Sequence, residues 1–159
     1  MKIFFNYANI SLKYIQKKKL KKAVSDLFDS EHKFVERVDY IFCTDTYLLQ
    51  LNQQYLNHDT LTDIITFDLS DNKKLVAEIY ISLERVIENA IIHQCSFEIE
   101  LERVVFHGAL HLCGYKDKTT AQKQKMTKAE NKYLQLFHVK QPQKNQKGVP
   151  RETIKKKNS

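Results

Sequence analysis

SFEIELERVVFHGALHLCGYKDK, residues 96–118, carries the pattern on which the reading of this 159-residue chain turns. Ser96 is a good helix N-cap, and Glu98 and Glu100 put negative charge in the first turns, where the unpaired amides of a helix favour it. At about 100° per residue, Phe97, Leu101, Val104, Gly108 and Leu112 fall on one arc, so the stretch is a helix with one buried face. Gly114 then offers a stop, because glycine takes the left-handed conformation that ends many helices. His107 and His111 lie four residues apart beside the apolar arc, so both rings leave the same face. Asp117 follows shortly after the stop, within reach if the chain folds back. Two imidazoles and one carboxylate, with a fourth position open, make the donor set of a catalytic zinc site. The HxxxH spacing alone also suits two structural histidines at a core edge; the glycine and the carboxylate favour a metal. Gly108 stands where an HExxH peptidase carries its general base, so that class loses its base.

Outward from this helix, Ser82 caps another running to about residue 93, and residues 75–81 read as the strand before it. A turn around Asp71 and Asn72 separates that strand from the β-branched run 64–67, and the polar stretch 57–62 is a loop. Thr44 or Asp45 caps a helix to about residue 56. Residues 34–43 suit a strand, with Phe34, Val38, Tyr40 and Phe42 on one face. Leu12, Ile15, Leu20, Val24, Leu27 and Phe28 recur at helical spacing, which predicts a helix over residues 12–28; residues 2–6 form a short strand before it. A last helix covers 119–137. The remaining segment, 138–159, is basic, too polar to build a core and expected to be disordered. No internal repeat is visible. Four strands among helices fit α/β or α+β, and the pattern alone does not separate them.

Length fits one domain, over residues 1–137. Apolar runs are far shorter than the roughly 20 residues that cross a bilayer, and MKIFFNYANI lacks a signal peptide's apolar stretch, so no membrane is expected. Cys43, Cys95 and Cys113 have spacings that suggest neither a disulfide nor a CxxC site, which fits reduced thiols in a cytoplasm. Cys113 lies about 160° of helical rotation from His111 and reads as packing. Of the net +7, residues 138–159 hold +6 and residues 1–137 only +1. Two further basic clusters lie at Lys13, Lys17, Lys18, Lys19, Lys21 and Lys22, and from Lys116 through Lys132. Both suit phosphate backbones; for the first, a solvated helix face is the commoner reading.

HGALHLCGYKD, residues 107–117, resembles the HGxLHLxGYDH signature of the YbeY family, metal-dependent endoribonucleases that act as rRNA maturation factors. LNQQYLNHDTLTDIITF (51–67) resembles the family's LNxxYRxxDxPTDVLSF, and VAEIYIS (76–82) its GDIxIS strand. Glu100-Leu101 stands for its EL pair, and Met126 with Glu130 for the MxxxE of its last helix. The resemblance spans residues 38–137. It implies an α+β fold, a mixed four-stranded sheet packed with about five helices, one of them a zincin-like metal helix. It also implies one zinc ion per chain on His107, His111 and Asp117, and single-strand-specific cleavage of RNA in rRNA processing and ribosome maturation. The partners implied are ribosomal RNA and ribosomal subunit proteins.

Departures from the pattern are equally specific. The family's third histidine falls on Asp117 and its preceding aspartate on Lys116; the expected arginine is Leu56 and the expected proline Leu61. A carboxylate ligand cancels one unit of the ion's charge, so a bound water is less acidic than at a three-histidine site. Lys116 and Lys118 offset the missing arginine as substrate contacts, and Thr62 and Asp63, matching the family's TD, either line the cleft or belong to a loop that caps the next strand. Glu100, seven residues before His107 on the same helix face, either supports the site from behind or is a solvated first-turn carboxylate. No residue stands out as general base, and His58 is the other histidine to follow. Two rival readings remain: a ribosome-assembly, RNA-binding factor with a vestigial or structural metal site, and a zinc hydrolase of a non-nucleic-acid substrate. The second is disfavoured by Gly108 and the basic surface.

Overall fold

The chain runs β1 (Lys2–Tyr7), β2 (Ile10–Leu12), α1 (Lys17–Ser30), β3 (Val35–Cys43), α2 (Asp45–Leu56), β4 (Ile64–Asp68), β5 (Leu75–Ser82), α3 (Leu83–Ile92), α4 (Phe97–Leu112), α5 (Thr120–Val139) and β6 (Ile154–Lys156). This computed structural model describes residues 1–57, 62–71, 74–139 and 154–157, with the backbone alone at 154 and 155. His58, Leu61 and Asn72 lie outside the described residues, as does most of the segment after Val139.

Period-2 patterning sets the sheet. Val38, Tyr40 and Phe42 on β3 point to one face, as do Ala77, Ile79 and Ile81 on β5, and all six are fully buried; the residues between them, among them Asp39, Ile41, Glu78 and Tyr80, face the other side. β1 and β3 pair in parallel, β3 and β5 likewise, and β4 joins β5 antiparallel, giving the order β1-β3-β5-β4. Among the described residues the fold is therefore α+β, with a mixed four-stranded sheet, a two-stranded β2–β6 ribbon and five helices. One sheet face packs on α1 and α4, with α5 against those two helices, in the main core, where the Tyr40 hydroxyl donates to the Val105 carbonyl at 3.0 Å. The other face carries a smaller cluster of Cys43, Leu48 and Ile65 beside α2. Thr44, Ser82 and Ser96 cap α2, α3 and α4, each accepting an amide three residues on. A cap of this kind stabilises by about 1 kcal/mol. Among the described residues no helix is long and apolar enough to cross a membrane.

Several sequence expectations are corrected. The first helix begins at Lys17, not residue 12, because Ile10 and Leu12 alternate as a strand would and are buried in β2. Ile15, counted on the helix's apolar face, is 94% exposed, and Phe34, counted on β3, is 77% exposed just before it. Of the segment 138–159, expected to be disordered, α5 takes in residues 138 and 139, and Ile154–Lys156 pair antiparallel with β2; residues 140–153, 158 and 159 lie outside the described residues. A lone edge strand offers backbone donors and acceptors that a polar segment satisfies as well as an apolar one.

Gly108 sets how closely α4 approaches the sheet. A Cβ there would lie 3.0 Å from both Ile64 Cδ1 and Ile79 Cγ2. The position faces packed isoleucines, so a peptidase-type glutamate would have to enter that contact.

Candidate metal centre

α4 ends in two interlocked backbone bonds: the Tyr115 amide reaches the Leu110 carbonyl at 3.1 Å and the Gly114 amide the His111 carbonyl at 3.0 Å. This Schellman closure needs the left-handed backbone of Gly114, whose φ is +97°. It turns the chain back along the helix and delivers Asp117 to the histidines. His107 Nε2 and His111 Nε2 face each other at 2.9 Å, and Asp117 Oδ2 lies 3.3 Å from the first and 3.2 Å from the second. One ligand atom from each residue fits within 4.8 Å of the others.

The opposite ring nitrogens explain why this geometry suits a cation. His107 Nδ1 lies 2.8 Å from Glu130 Oε1, and His111 Nδ1 lies 2.9 Å from the Tyr115 carbonyl. Both partners are acceptors, so each Nδ1 is held as the donor and each Nε2 carries its lone pair inward. Two lone pairs and a carboxylate oxygen aimed at one small volume repel one another unless a proton or a cation lies between them. The donor set of two imidazole nitrogens and one carboxylate oxygen fits zinc.

Charges behind the site are arranged in a relay. Glu130, on α5, is 7% exposed; the Arg103 guanidinium lies 3.7 Å from it and 3.7 Å from Glu100, and donates to Asn131 at 2.9 Å. Glu100 is 2% exposed and also meets His93 Nδ1 at 3.1 Å and the Cys95 thiol at 3.7 Å. Glu100 is therefore no solvated first-turn carboxylate; it reaches His107 through Arg103 and Glu130. Burial pulls the His107 imidazolium down, but the Glu130 hydrogen bond and the charges of Glu130, Asp63 and Asp117 outweigh it, so its pKa lies above the ordinary value. Burial raises the Asp63 carboxyl, with Glu100 and Glu130 adding to the rise and His107 opposing it.

Asp63 opens β4 beside the histidines, its carboxylate met by the Asn89 amide at 3.3 Å and its carbonyl by the Ser82 amide at 2.9 Å. Thr62 turns its hydroxyl to the Ile64 carbonyl at 3.2 Å. Lys116 and Lys118 are exposed on either side of Asp117. Leu56 is exposed at the end of α2, and Cys113 packs half-buried against the core, its thiol pushed up to about 12 by burial. Glu130 and Arg103 are the residues that sequence reasoning gave no role. Glu130 stood in the MxxxE match, which signalled its presence but not its partner 23 residues away.

Similarity to known proteins runs the same way. The family model for Endoribonuclease YbeY matches residues 6–138. The Endoribonuclease YbeY of Flavobacterium psychrophilum is 50% identical over 118 residues, covering 74% of this chain and 84% of that protein. That of Cytophaga hutchinsonii is 42% identical over 135 residues, covering 84% and 94%. The solution structure of TM1509 from Thermotoga maritima superposes with a TM-score of 0.60 at 29% identity, covering 86% of this chain and 89% of that one. With two helical histidines and a following aspartate grouped inside a family match over most of its length, the chain belongs to the YbeY endoribonuclease family.

Proposed function

We propose that this chain is a zinc-dependent, single-strand-specific endoribonuclease of rRNA processing and ribosome maturation. It works in the cytoplasm on ribosomal RNA in the company of ribosomal subunit proteins. Residues 1–137 form its one domain, and the basic residues after them extend its hold on RNA. The observation that carries this reading is the pair of facing Nε2 atoms with both Nδ1 positions engaged and Asp117 closing the group. His107, His111 and Asp117 would hold the ion, one per chain. Bound there, zinc supplies Lewis acidity toward a phosphoryl oxygen and makes a bound water easier to ionise.

The rest of the work falls to the chain itself. Glu130 and the Tyr115 carbonyl fix the two ring orientations. Asp63, held by Asn89 and outside the ligand group, orients the attacking oxygen and receives its proton. Lys116 and Lys118, exposed beside Asp117, meet the RNA backbone. The packing of Gly108 on Ile64 and Ile79 leaves no carboxylate where a zinc peptidase needs one.

The test compares wild type, His111→Ala and Asp63→Asn on single-stranded and duplex ribosomal RNA, with zinc affinity measured alongside. Wild type should cut the single strand in preference. His111→Ala should lose both metal and cleavage. Asp63→Asn should keep zinc and lose about 10²–10⁴ in rate. Wild type that binds zinc and RNA without cutting would establish the assembly-factor reading instead.

A further inference from the structure

Two lysine runs far apart in sequence are joined through β2: residues 155–157 lie against residues 9–11, just before the run that starts at Lys13. The β2–β6 pairing sets Lys155 opposite Ser11 and Lys156 opposite Ile10, and the Lys157 amide donates to the Asn9 carbonyl at 3.2 Å. Residues 155–157 thus lie beside the segment that leads into Lys13 and the first turns of α1, where Lys17, Lys18, Lys19, Lys21 and Lys22 follow. We propose that the β2–β6 ribbon and the first half of α1 form a second RNA-backbone surface, separate from the metal centre. This inference rests on the nuclease reading above.

The lysines divide into anchored and free. Lys156 meets Glu84 at 2.9 Å, Lys22 meets Asp26 at 2.8 Å, and Lys19 donates to the Phe137 carbonyl at 3.0 Å, which ties the surface to α3 and α5. Among the described residues, Lys13, Lys17, Lys18 and Lys21 have no carboxylate within ion-pair distance. Lys13 and Lys18 are exposed, while Lys17 and Lys21 stand over the Tyr7 and Phe5 rings at 4.8 and 5.2 Å. Like charges gathered without acidic neighbours in the first turn of α1 repel one another, and helix stability gives no reason for them. A polyanion relieves that repulsion and releases its own counterions.

Position fits the same occupant. Tyr7 pairs with Phe42 and Cys43 with Ser82, so the carboxyl ends of the three parallel strands coincide, and β2 starts just beyond them. Asp63 lies at this same end through its bond to the Ser82 amide, and Glu84, the anchor of Lys156, is two residues further on. A strand held near Asp63 can therefore continue toward the ribbon. A membrane fits less well, because the apolar face of α1 (Leu20, Val24, Leu27 and Phe28) is buried in the core and cannot enter lipid.

The experiment measures binding of a single-stranded RNA of about 20 nucleotides to the full chain as a function of salt. Lys13→Gln/Lys17→Gln/Lys18→Gln/Lys21→Gln should flatten the slope of log K against log salt by about two to three, at roughly 0.7 per lost phosphate contact. Lys13→Glu/Lys18→Glu changes only exposed side chains, so the fold survives, and it should weaken binding in the same direction. Truncation after residue 153 should also flatten the slope. Zinc affinity should stay at the wild-type value in all three. Wild-type slopes in both lysine variants, while wild type cuts RNA, would overturn the surface and leave the nuclease reading intact. Loss of binding to phosphatidylserine vesicles with an unchanged RNA slope would also overturn it, by assigning the patch to a membrane. Wild type that binds no RNA at any salt would overturn both readings.

Discussion

His107 and His138 each meet a nearly buried glutamate, Glu130 at 2.8 Å and Glu102 at 2.6 Å, yet they do so with opposite ring nitrogens. His107 engages Nδ1, which leaves Nε2 free to face His111 and Asp117. His138 engages Nε2, and the other oxygen of Glu102 accepts the Tyr14 hydroxyl at 2.8 Å, so that group closes on itself and ties α5 and the segment before α1 to α4. A histidine–carboxylate pair is therefore no sign of chemistry by composition alone. What separates the two is the nitrogen left over and what it points at.

The largest contrast should appear in metal content. His107→Ala/His111→Ala is expected to abolish zinc binding without unfolding the domain, because the ligands sit on preformed elements, whereas His138→Ala should bind zinc as wild type does. Full metal retention by the double variant, read by elemental analysis after dialysis, would break the comparison.

Next comes Asp117, where this chain departs from its family's histidine. Asp117→Ala should weaken zinc by more than the roughly 10–100-fold expected for losing a partner behind a ligand. Asp117→His should retain zinc and shift the alkaline dependence of RNA cleavage to lower pH, since it returns one positive charge to the site. Equal zinc affinity for Asp117→Ala and wild type would make Asp117 a bystander.

Glu130→Gln sharpens the comparison further. It keeps the shape of the side chain but weakens the hold on His107, and should lower zinc affinity about 10–100-fold. Glu102→Gln should leave zinc affinity alone.

The smallest effect belongs to Glu102 itself. Burial raises its carboxyl above the ordinary glutamate value, with Tyr14 and His138 pulling it down only in part. A raised folded pKa means that this group's contribution is complete below the unfolded value and lost as pH rises through the folded one. Melting curves across mildly acidic pH should therefore fall more with rising pH in wild type than in Glu102→Gln. The sign of this difference is the test, and its size should be the smallest of the effects set out above. Parallel curves would show that Glu102 keeps its ordinary value.

Much of this was legible in local chemistry. Ser82 and Ser96 announced α3 and α4, and the spacing of His107, His111, Gly114 and Asp117 announced that the three side chains would be grouped, because caps, glycine stops and helical faces act over a few residues. β2 was hidden because Leu12 also fits a helical count that Ile15 and Leu20 continue. β6 was hidden because its partner is the backbone of β2, which leaves no mark on side-chain composition. The relay through Arg103 was hidden for a third reason. Glu100 and Arg103 are three apart on one helix and look like an ordinary surface pair, and only the docking of α5 brings Glu130 against them.

X-ray absorption at the zinc edge of the loaded, full-length protein tests the central claim most directly. One ion per chain with two imidazole nitrogens and oxygen in its remaining positions, at about 2.0–2.2 Å and with no sulfur, is the result expected of His107, His111 and Asp117. Sulfur at about 2.3 Å, or a spectrum unchanged in His107→Ala/His111→Ala, would place the ion elsewhere and contradict the account.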